Sequence, residues 1–153
     1  MDEIDIKILK LLQENSRITI SELSKKINLS RPSISERILR LQEQGIIEEF
    51  TSRISLKAIG RRILLFIEIE AMKTSPEILE EMLINEADIL ECHRVSGKTN
   101  YIVKAAVDSI EGMTDLINRL IPYGSLCTSV VLSSPVPYRH VLPNTKIDQT
   151  YTY

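Results

Sequence analysis

The sequence contains no apolar run that approaches the roughly 18 to 20 residues needed to cross a bilayer. Its start, MDEIDIKILK, is acidic and amphipathic, unlike the basic and then apolar pattern of a secretory leader. It has only two cysteines, Cys92 and Cys127, too few for a disulfide framework and not at metal-ligand spacing. We therefore expect a cytoplasmic protein with no membrane partner, metal or cofactor, and with two reduced cysteines packed in strands.

The sequence also lacks the residue patterns of common catalytic sites. His93 adjoins Cys92 in a predicted strand, so the two side chains point to opposite faces and cannot act as nucleophile and base. His140 lies in a proline-rich segment. There is no phosphate-binding loop and no nucleophile elbow. We predict that the protein is not an enzyme.

What the sequence does have is a hydrophobic fraction of 43%, which predicts a folded chain, and an uneven distribution of charge. The net charge is −2, but residues 17–40 contain six Lys and Arg against Glu22 and Glu36. This local excess of positive charge favours a nucleic-acid partner for that region. The alternative is that these charges only keep a helical surface solvated and bind no partner.

Three amphipathic helices are predicted before residue 48, over residues 2–14, 19–28 and 30–44. Thr19 and Glu22 form a capping-box pattern, Ser30 is a natural N-cap, and Gly45 is a natural stop. Helical spacing places six apolar residues inward on the second and third helices: Ile20, Leu23, Ile27, Ile34, Ile38 and Leu41. This pattern is typical of a helix-turn-helix, and the following EEFTSRIS predicts a strand in the position of a wing.

The third helix would place small, polar and basic residues on its outer face, which suits insertion into a major groove. Arg37 lies close to the inward direction, so we expect it to pair with an acid such as Asp5 rather than with a base. Backbone amides at the Ser30 cap are candidates for a phosphate contact. The predicted groove and phosphate contacts are Ser30, Arg31, Pro32, Ser33, Ser35, Glu36, Arg40, Lys25, Lys26 and Arg17.

A second domain is predicted after a hinge near Gly60, which divides the chain into residues 1–60 and 61–153. Its strands and helices follow in the order β-α-β-β-α-β, with a helix over PEILEEMLIN in which Ile78, Leu79, Met82 and Leu83 point inward. That order is the ferredoxin-like arrangement of an α+β fold, four antiparallel strands backed by two helices. Because one face of such a sheet has no helix, we predict a two-fold homodimer through it.

Several motifs of the chain are similar to those of the Lrp/AsnC family of transcription regulators, also called feast/famine regulatory proteins. In the head they are D-x-x-I-L-x-x-L-Q-x-N-x-R over residues 5–17, S-E-L-S over 21–24, Leu29-Ser30, and E-R-I-x-x-L-x-x-x-G-I-I over 36–47. In the second domain they are V-S-G-x-x-x-Y over 95–101 and T-S-V-V-L-S-S over 128–134. The resemblance implies a winged helix-turn-helix head on double-stranded DNA. It also implies a dimerising tail that assembles into tetramers or octamers and binds an amino acid between dimers.

The resemblance places the effector at the turn formed by Gly97, Lys98, Thr99, Asn100 and Tyr101. Family members that respond to amino acids usually carry Asp where this chain has Asn100, so a zwitterion should bind here less tightly or differently. Lys98 is either a partner for a carboxylate or an exposed, solubilising residue. We therefore predict a sequence-specific regulator; the alternative is an architectural protein that organises DNA with little sequence preference.

Overall fold

The architecture is given by a computed structural model that describes residues 1–143. The chain divides into two compact units. The first, the head, contains Met1–Arg53 and the described residues from Val136 onward; the second, the sheet domain, is Ile54–Pro135. The sequence predicted a single boundary near residue 60, whereas in the structure the chain returns to the head after the sheet domain.

The head consists of three helices, α1 (Glu3–Glu14), α2 (Ile20–Ile27) and α3 (Arg31–Glu43). Each begins at a side chain that caps its first amides, and the predicted Thr19–Glu22 capping box is present. Gly45 has a φ of +66°, the left-handed conformation that ends a helix readily. The helices meet over six buried apolar residues: Ile8, Leu12, Leu23, Ile34, Ile38 and Leu41.

The sheet domain has the predicted order of elements. They are β1 (Ile63–Glu70), α4 (Pro76–Asn85), β2 (Ile89–Arg94), β3 (Thr99–Val107), α5 (Ile110–Leu120), a short 3-10 turn (Ile121–Tyr123) and β4 (Ser125–Val130). The antiparallel strands lie in the order β2-β3-β1-β4, which confirms the ferredoxin-like fold. Leu65, Ile67 and Ile69 of β1 are buried in the core beneath α4 and α5.

Three sequence predictions were wrong in detail. Residues 48–55 form no strand, because no other strand in the described part of the chain pairs with them, and all eight are exposed. Ile78 is 53% exposed rather than buried, since Leu79 and Leu83 fill the inner face of α4. Cys92 and Cys127 do lie in strands, but both are exposed.

The structure also fixes where two of the strands begin. β4 begins at Ser125, since its ladder with β1 starts at the Glu70–Ser125 pair. Thr99 and Asn100 were assigned to a turn and belong to β3. No described helix combines the length and the hydrophobicity that a bilayer crossing requires.

Candidate nucleic-acid interface

The start of α3 is fixed by short-range hydrogen bonds. Asn28 ends α2 in the left-handed conformation, with a φ of 60°. The Ser24 hydroxyl donates to the Leu29 carbonyl at 2.5 Å, and the Ser30 hydroxyl accepts from the amide of Ser33 at 3.3 Å. The turn between α2 and α3 is therefore tight, and α3 begins immediately after it, as in a helix-turn-helix.

The two sides of α3 differ sharply in burial. Ile34, Ile38 and Leu41 are buried against α1 and α2. The other side presents most of the predicted groove residues to solvent: Arg31, Pro32, Ser35, Glu36 and Arg40 are exposed, and Ser33 is half-buried. Leu39, 56% exposed, adds an apolar contact surface. The structure thus brings these six candidates together on one accessible face.

A cluster of charged residues ties α3 to the start of α1. Arg37 Nη1 lies 2.7 Å from both Asp2 and Asp5, so the predicted Arg37–Asp5 pair is present. Asp5 is the one buried charged residue within residues 1–143. The amide of Asp5 and the guanidinium of Arg37 stabilise the Asp2 carboxylate and lower its pKa to about 2. These contacts fix the rotation of α3 relative to α1.

Arg40 belongs in part to the same cluster, which the sequence did not predict. Its Nη2 lies 3.2 Å from Asp5 Oδ2, while 49% of its side chain stays exposed. A carboxylate that already holds Arg37 is thus shared with Arg40. The missed signal was the spacing of the two arginines, three residues apart on one helix and therefore able to meet the same acid.

The predicted phosphate contacts do not all lie together. Lys26 lines a shallow groove with Lys7 and Lys10 of α1. Those two lysines lie roughly 140° to 200° around α1 from Asp5, the residue that faces α3. Lys26 is therefore placed away from the outer face of α3, and Lys25 and Arg17 are exposed.

The segment after the sheet domain contacts α1 and Arg53. The Gln13 side chain donates to the carbonyl of Val141 at 2.8 Å and accepts from its amide at 2.9 Å. Arg53 donates to the Pro137 carbonyl and stacks over Tyr138. Over the described residues, this segment leaves the outer face of α3 open.

The residues of the predicted effector turn do not form one surface. Gly97 and Lys98 precede β3, whereas the other three belong to it. Gly97 takes a φ of +110°, a conformation that favours glycine. Lys98 Nζ lies 3.1 Å from Glu70, and the Thr99 hydroxyl donates to Glu68 at 3.1 Å. The sequence did not predict that Glu68 and Glu70 of β1 contact this turn, since only the β1–β3 register places them beside it.

The remaining two effector candidates make other contacts. The Asn100 carbonyl accepts the Val95 amide at 3.0 Å, which closes the hairpin. Tyr101 is buried, and its hydroxyl donates to Glu80 of α4 at 2.5 Å. Burial and the Glu80 carboxylate together raise the pKa of Tyr101 to about 12. Tyr101 therefore does not share a surface with Lys98 and Thr99.

Two family models match the chain. Residues 1–48 match winged helix-turn-helix DNA-binding domains, and residues 64–141 match the Lrp/AsnC ligand binding domain. The chain is 32% identical over 133 residues to the HTH-type transcriptional regulator LrpC of Bacillus subtilis, covering 87% of this chain and 92% of that protein. It is 38% identical over 112 residues to the leucine-responsive regulatory protein of Haemophilus influenzae, covering 70% and 66%.

Solved structures agree with these matches. The structure of B. subtilis LrpC superposes with a TM-score of 0.84 at 31% identity, covering 88% of this chain and 96% of that one. A transcriptional regulator of Neisseria meningitidis, solved as an L-Met complex, superposes with a TM-score of 0.85 at 26% identity, covering 94% and 96%.

Proposed function

The chain belongs to the Lrp/AsnC family of transcription regulators, and we propose that α3 enters the major groove of its operator and contacts base edges there. In this proposal Arg31 and Arg40 bind guanine, Glu36 accepts from cytosine, and Pro32, Ser33 and Ser35 allow close approach. The observation that carries it is the exposure of one polar face at the start of α3. The protein acts by binding alone, without catalysis.

Replacing Arg31 by alanine tests this role. We expect operator affinity to fall about tenfold to a hundredfold at fixed salt, with relaxed preference at one base pair. Arg62→Ala, which removes the same charge from an exposed site outside the head, is the control and should leave the preference unchanged. Unchanged operator affinity in both Arg31→Ala and Arg40→Ala would contradict the proposal.

The alternative function, an architectural DNA organiser, is distinguished by the ratio of specific to non-specific affinity at one salt concentration. A regulator typically binds its operator about a thousandfold or more tighter than random DNA. A ratio below about tenfold would favour the organiser. A footprint on the DNA upstream of the protein's own gene would supply the operator for this measurement.

We propose that the phosphate contacts come from the amides at the Ser30 cap and from Arg17, Lys25 and Lys26. Such contacts add affinity without sequence preference. Lys25→Gln should weaken binding equally on all sequences and lower the salt slope by about one. The same loss for Lys26→Gln would require DNA to reach the groove beside Lys7 and Lys10.

We propose that residues 61–153 form the ligand-binding and oligomerisation domain, and residues 1–60 the DNA-binding domain with its linking segment. Leu64, Phe66 and Glu68 alternate with the buried residues of β1, so they lie on the sheet face without helices. Phe66 is 40% exposed there, and a two-fold copy of the same face would cover it. Phe66→Glu should convert dimers to monomers in sedimentation.

Dimers should assemble further into tetramers or octamers in the cytoplasm, so that paired heads occupy successive major grooves of one duplex. An amino acid bound between dimers at residues 97–101 would shift that assembly only if it bound one state better than another. The Neisseria relative solved with L-Met and the matched ligand-binding domain support an amino acid as effector. Sedimentation and footprinting with and without an amino-acid panel test this part.

A further inference from the structure

Arg40 has two acids within reach by spacing or by packing, and the structure shows which one it contacts. Glu36 lies four residues earlier on α3, the spacing at which side chains of one helix meet. Within residues 1–143, however, the only ion pair of Arg40 is with Asp5 of α1. Arg40 Nη2 lies 3.2 Å from Asp5 Oδ2 and 3.3 Å from Asp5 Oδ1. The direction of this guanidinium is therefore set by a different helix from its own.

The two arginines that share Asp5 contact it differently. Arg37 lies 2.7 Å from Asp5 and 2.7 Å from Asp2, and 22% of its side chain is exposed. Arg40 makes longer contacts through Nη2 alone, and 49% of its side chain is exposed. Arg37 therefore holds α1 against α3, whereas Arg40 is fixed at one nitrogen and accessible at the others.

The other donors of Arg40 are available for a second contact. A guanidinium has five N–H groups in a rigid plane, and a guanine edge accepts two of them. Within the described residues, Nε and Nη1 of Arg40 donate to no acceptor. One side chain can therefore contact the Asp5 carboxylate and a guanine at the same time. Because the guanidinium is already held, it loses less conformational freedom when it binds.

The charges of this cluster are balanced, since Asp2 and Asp5 offset Arg37 and Arg40. Phosphates attract a cation through its charge, whatever the sequence, so an offset charge gains less from them. Guanine is recognised by directed hydrogen bonds, which the offset charge can still donate. Asp5 should therefore weaken phosphate binding by Arg40 more than it weakens guanine binding.

We propose that Asp5 is a positioning residue for sequence recognition, which holds Arg40 toward one guanine and away from the phosphates. The inference rests on the proposed function, in which Arg40 contacts guanine. It adds that this contact depends on a buried residue of α1 that does not itself touch DNA. Arg31 and Arg40 are nine residues apart, about 14 Å along the axis of α3, so they would contact different base pairs.

Operator variants with single base-pair changes test the inference on the full chain. Arg40→Ala first identifies the base pair that Arg40 recognises, and Arg31→Ala identifies that of Arg31. Asp5→Asn should then reduce the preference at the Arg40 base pair at least about fivefold and leave the preference at the Arg31 base pair unchanged. It should also steepen the salt slope on random DNA by up to about one, because one cation is no longer offset.

Asp2→Asn is the matched control. It removes the other carboxylate of the same cluster, which contacts Arg37 and not Arg40, and asparagine is also a good N-cap. Asp2→Asn should therefore change neither preference. The ratio of affinities for two operators does not depend on the folded fraction, so lost stability alone would leave both preferences intact.

The contrary outcomes are distinct from failure of the proposed function. Equal loss at both base pairs, loss at neither, or the same loss in Asp2→Asn would overturn the inference while the DNA contacts stand. Unchanged affinity and preference in both Arg31→Ala and Arg40→Ala would remove the proposed function itself.

A measurement on the free wild-type protein needs no substitution and applies even where Asp5→Asn does not fold. Nitrogen-15 relaxation of the arginine Nε–H groups should show Arg40 more restricted than Arg31 on the picosecond to nanosecond timescale. Arg31 is exposed and forms no ion pair within residues 1–143. Equal mobility of the two side chains would show that Asp5 does not position Arg40.

Discussion

The head and the sheet domain are stabilised in different ways. Six apolar side chains form the core of the head, and beside them lies buried Asp5, held by two arginines. The sheet domain has a larger core of eleven buried residues, in which Tyr101 carries the only side-chain hydroxyl. Its charged groups lie nearer the surface, as in the Arg119–Glu86 pair. Burial of apolar area is not directional, whereas ion pairs fix an orientation. The proposed function needs that orientation because α3 would present one face to DNA.

The largest effect should come from removing the buried acid. Asp5→Ala leaves Arg37 and Arg40 without their shared partner and breaks the capping box of α1. Because Arg37 keeps Asp2 and Arg40 is half exposed, no buried charge is left unpaired, and we expect a loss of about 2 to 3 kcal/mol in the free energy of unfolding of the head. Urea unfolding followed by far-ultraviolet circular dichroism measures it.

The matched control lies in the sheet domain. Asp88→Ala also removes an acid that pairs with two arginines, Arg61 and Arg119, but these groups are partly exposed. Asp88→Ala should therefore lower the free energy of unfolding by less than about 1 kcal/mol. If the two variants proved equally destabilised, the contrast between the two units would be refuted.

A smaller effect is expected at the hydroxyl within the apolar core. Tyr101→Phe removes the donor to Glu80 and should cost about 1.5 kcal/mol. Because the folded pKa of Tyr101 is raised from 10.0 to about 12, its contribution is complete below pH 10 and is lost as the pH rises toward 12. An alkaline stability profile that is the same in wild type and variant would argue against this.

In the head, the contribution of Asp2 to stability depends on pH in the acid range. The folded pKa of Asp2 is lowered from 3.8 to about 2, so its contribution is complete above pH 3.8 and is lost as the pH falls toward 2. The side chain is 52% exposed, so solvent screening should limit the effect to about 1 kcal/mol. Asp2→Asn should flatten the acid limb of the unfolding profile of the head and leave the alkaline limb unchanged.

The smallest effects concern two residues in the left-handed conformation. Asn28 in the head has a φ of 60°, and Ala71 in the sheet domain has a φ of 43°. Asparagine tolerates this conformation better than alanine. Ala71→Gly should therefore raise the free energy of unfolding by about 0.5 kcal/mol, and Asn28→Gly should raise it by less. Thermal unfolding of both variants measures the difference, and a larger gain at Asn28 would be the contrary result.

Local patterns predicted the elements of the fold well. Thr19 and Ser30 cap helices where the sequence placed their starts, because a cap depends on neighbours within a few residues. The predicted strand over residues 48–55 was wrong because strand formation requires a partner that the local sequence does not specify. Ile78 was placed on the wrong side of α4 for a related reason, since the tilt of a helix on a sheet is set by packing.

The candidate sites divide in the same way. The exposed face of α3 and the Arg37–Asp5 pair followed from helical periodicity alone. Helical periodicity did not predict three other contacts. They are the ion pair of Arg40 with Asp5, the carboxylates that contact Lys98 and Thr99, and the hydrogen bond between Tyr101 and Glu80. Each joins residues that the packed tertiary structure brings together, and only Arg40 had a short-range signal, its spacing of three residues from Arg37.

The bond between Gln13 and Val141 has a consequence for biosynthesis. The two partners are 128 positions apart, so this clamp cannot close until Val141 has left the ribosome. Nascent domains generally fold in order from the first residue synthesised. The three helices should therefore emerge early and remain open at one side throughout translation of the sheet domain, and a premature stop before residue 141 would release a head that lacks its clamp.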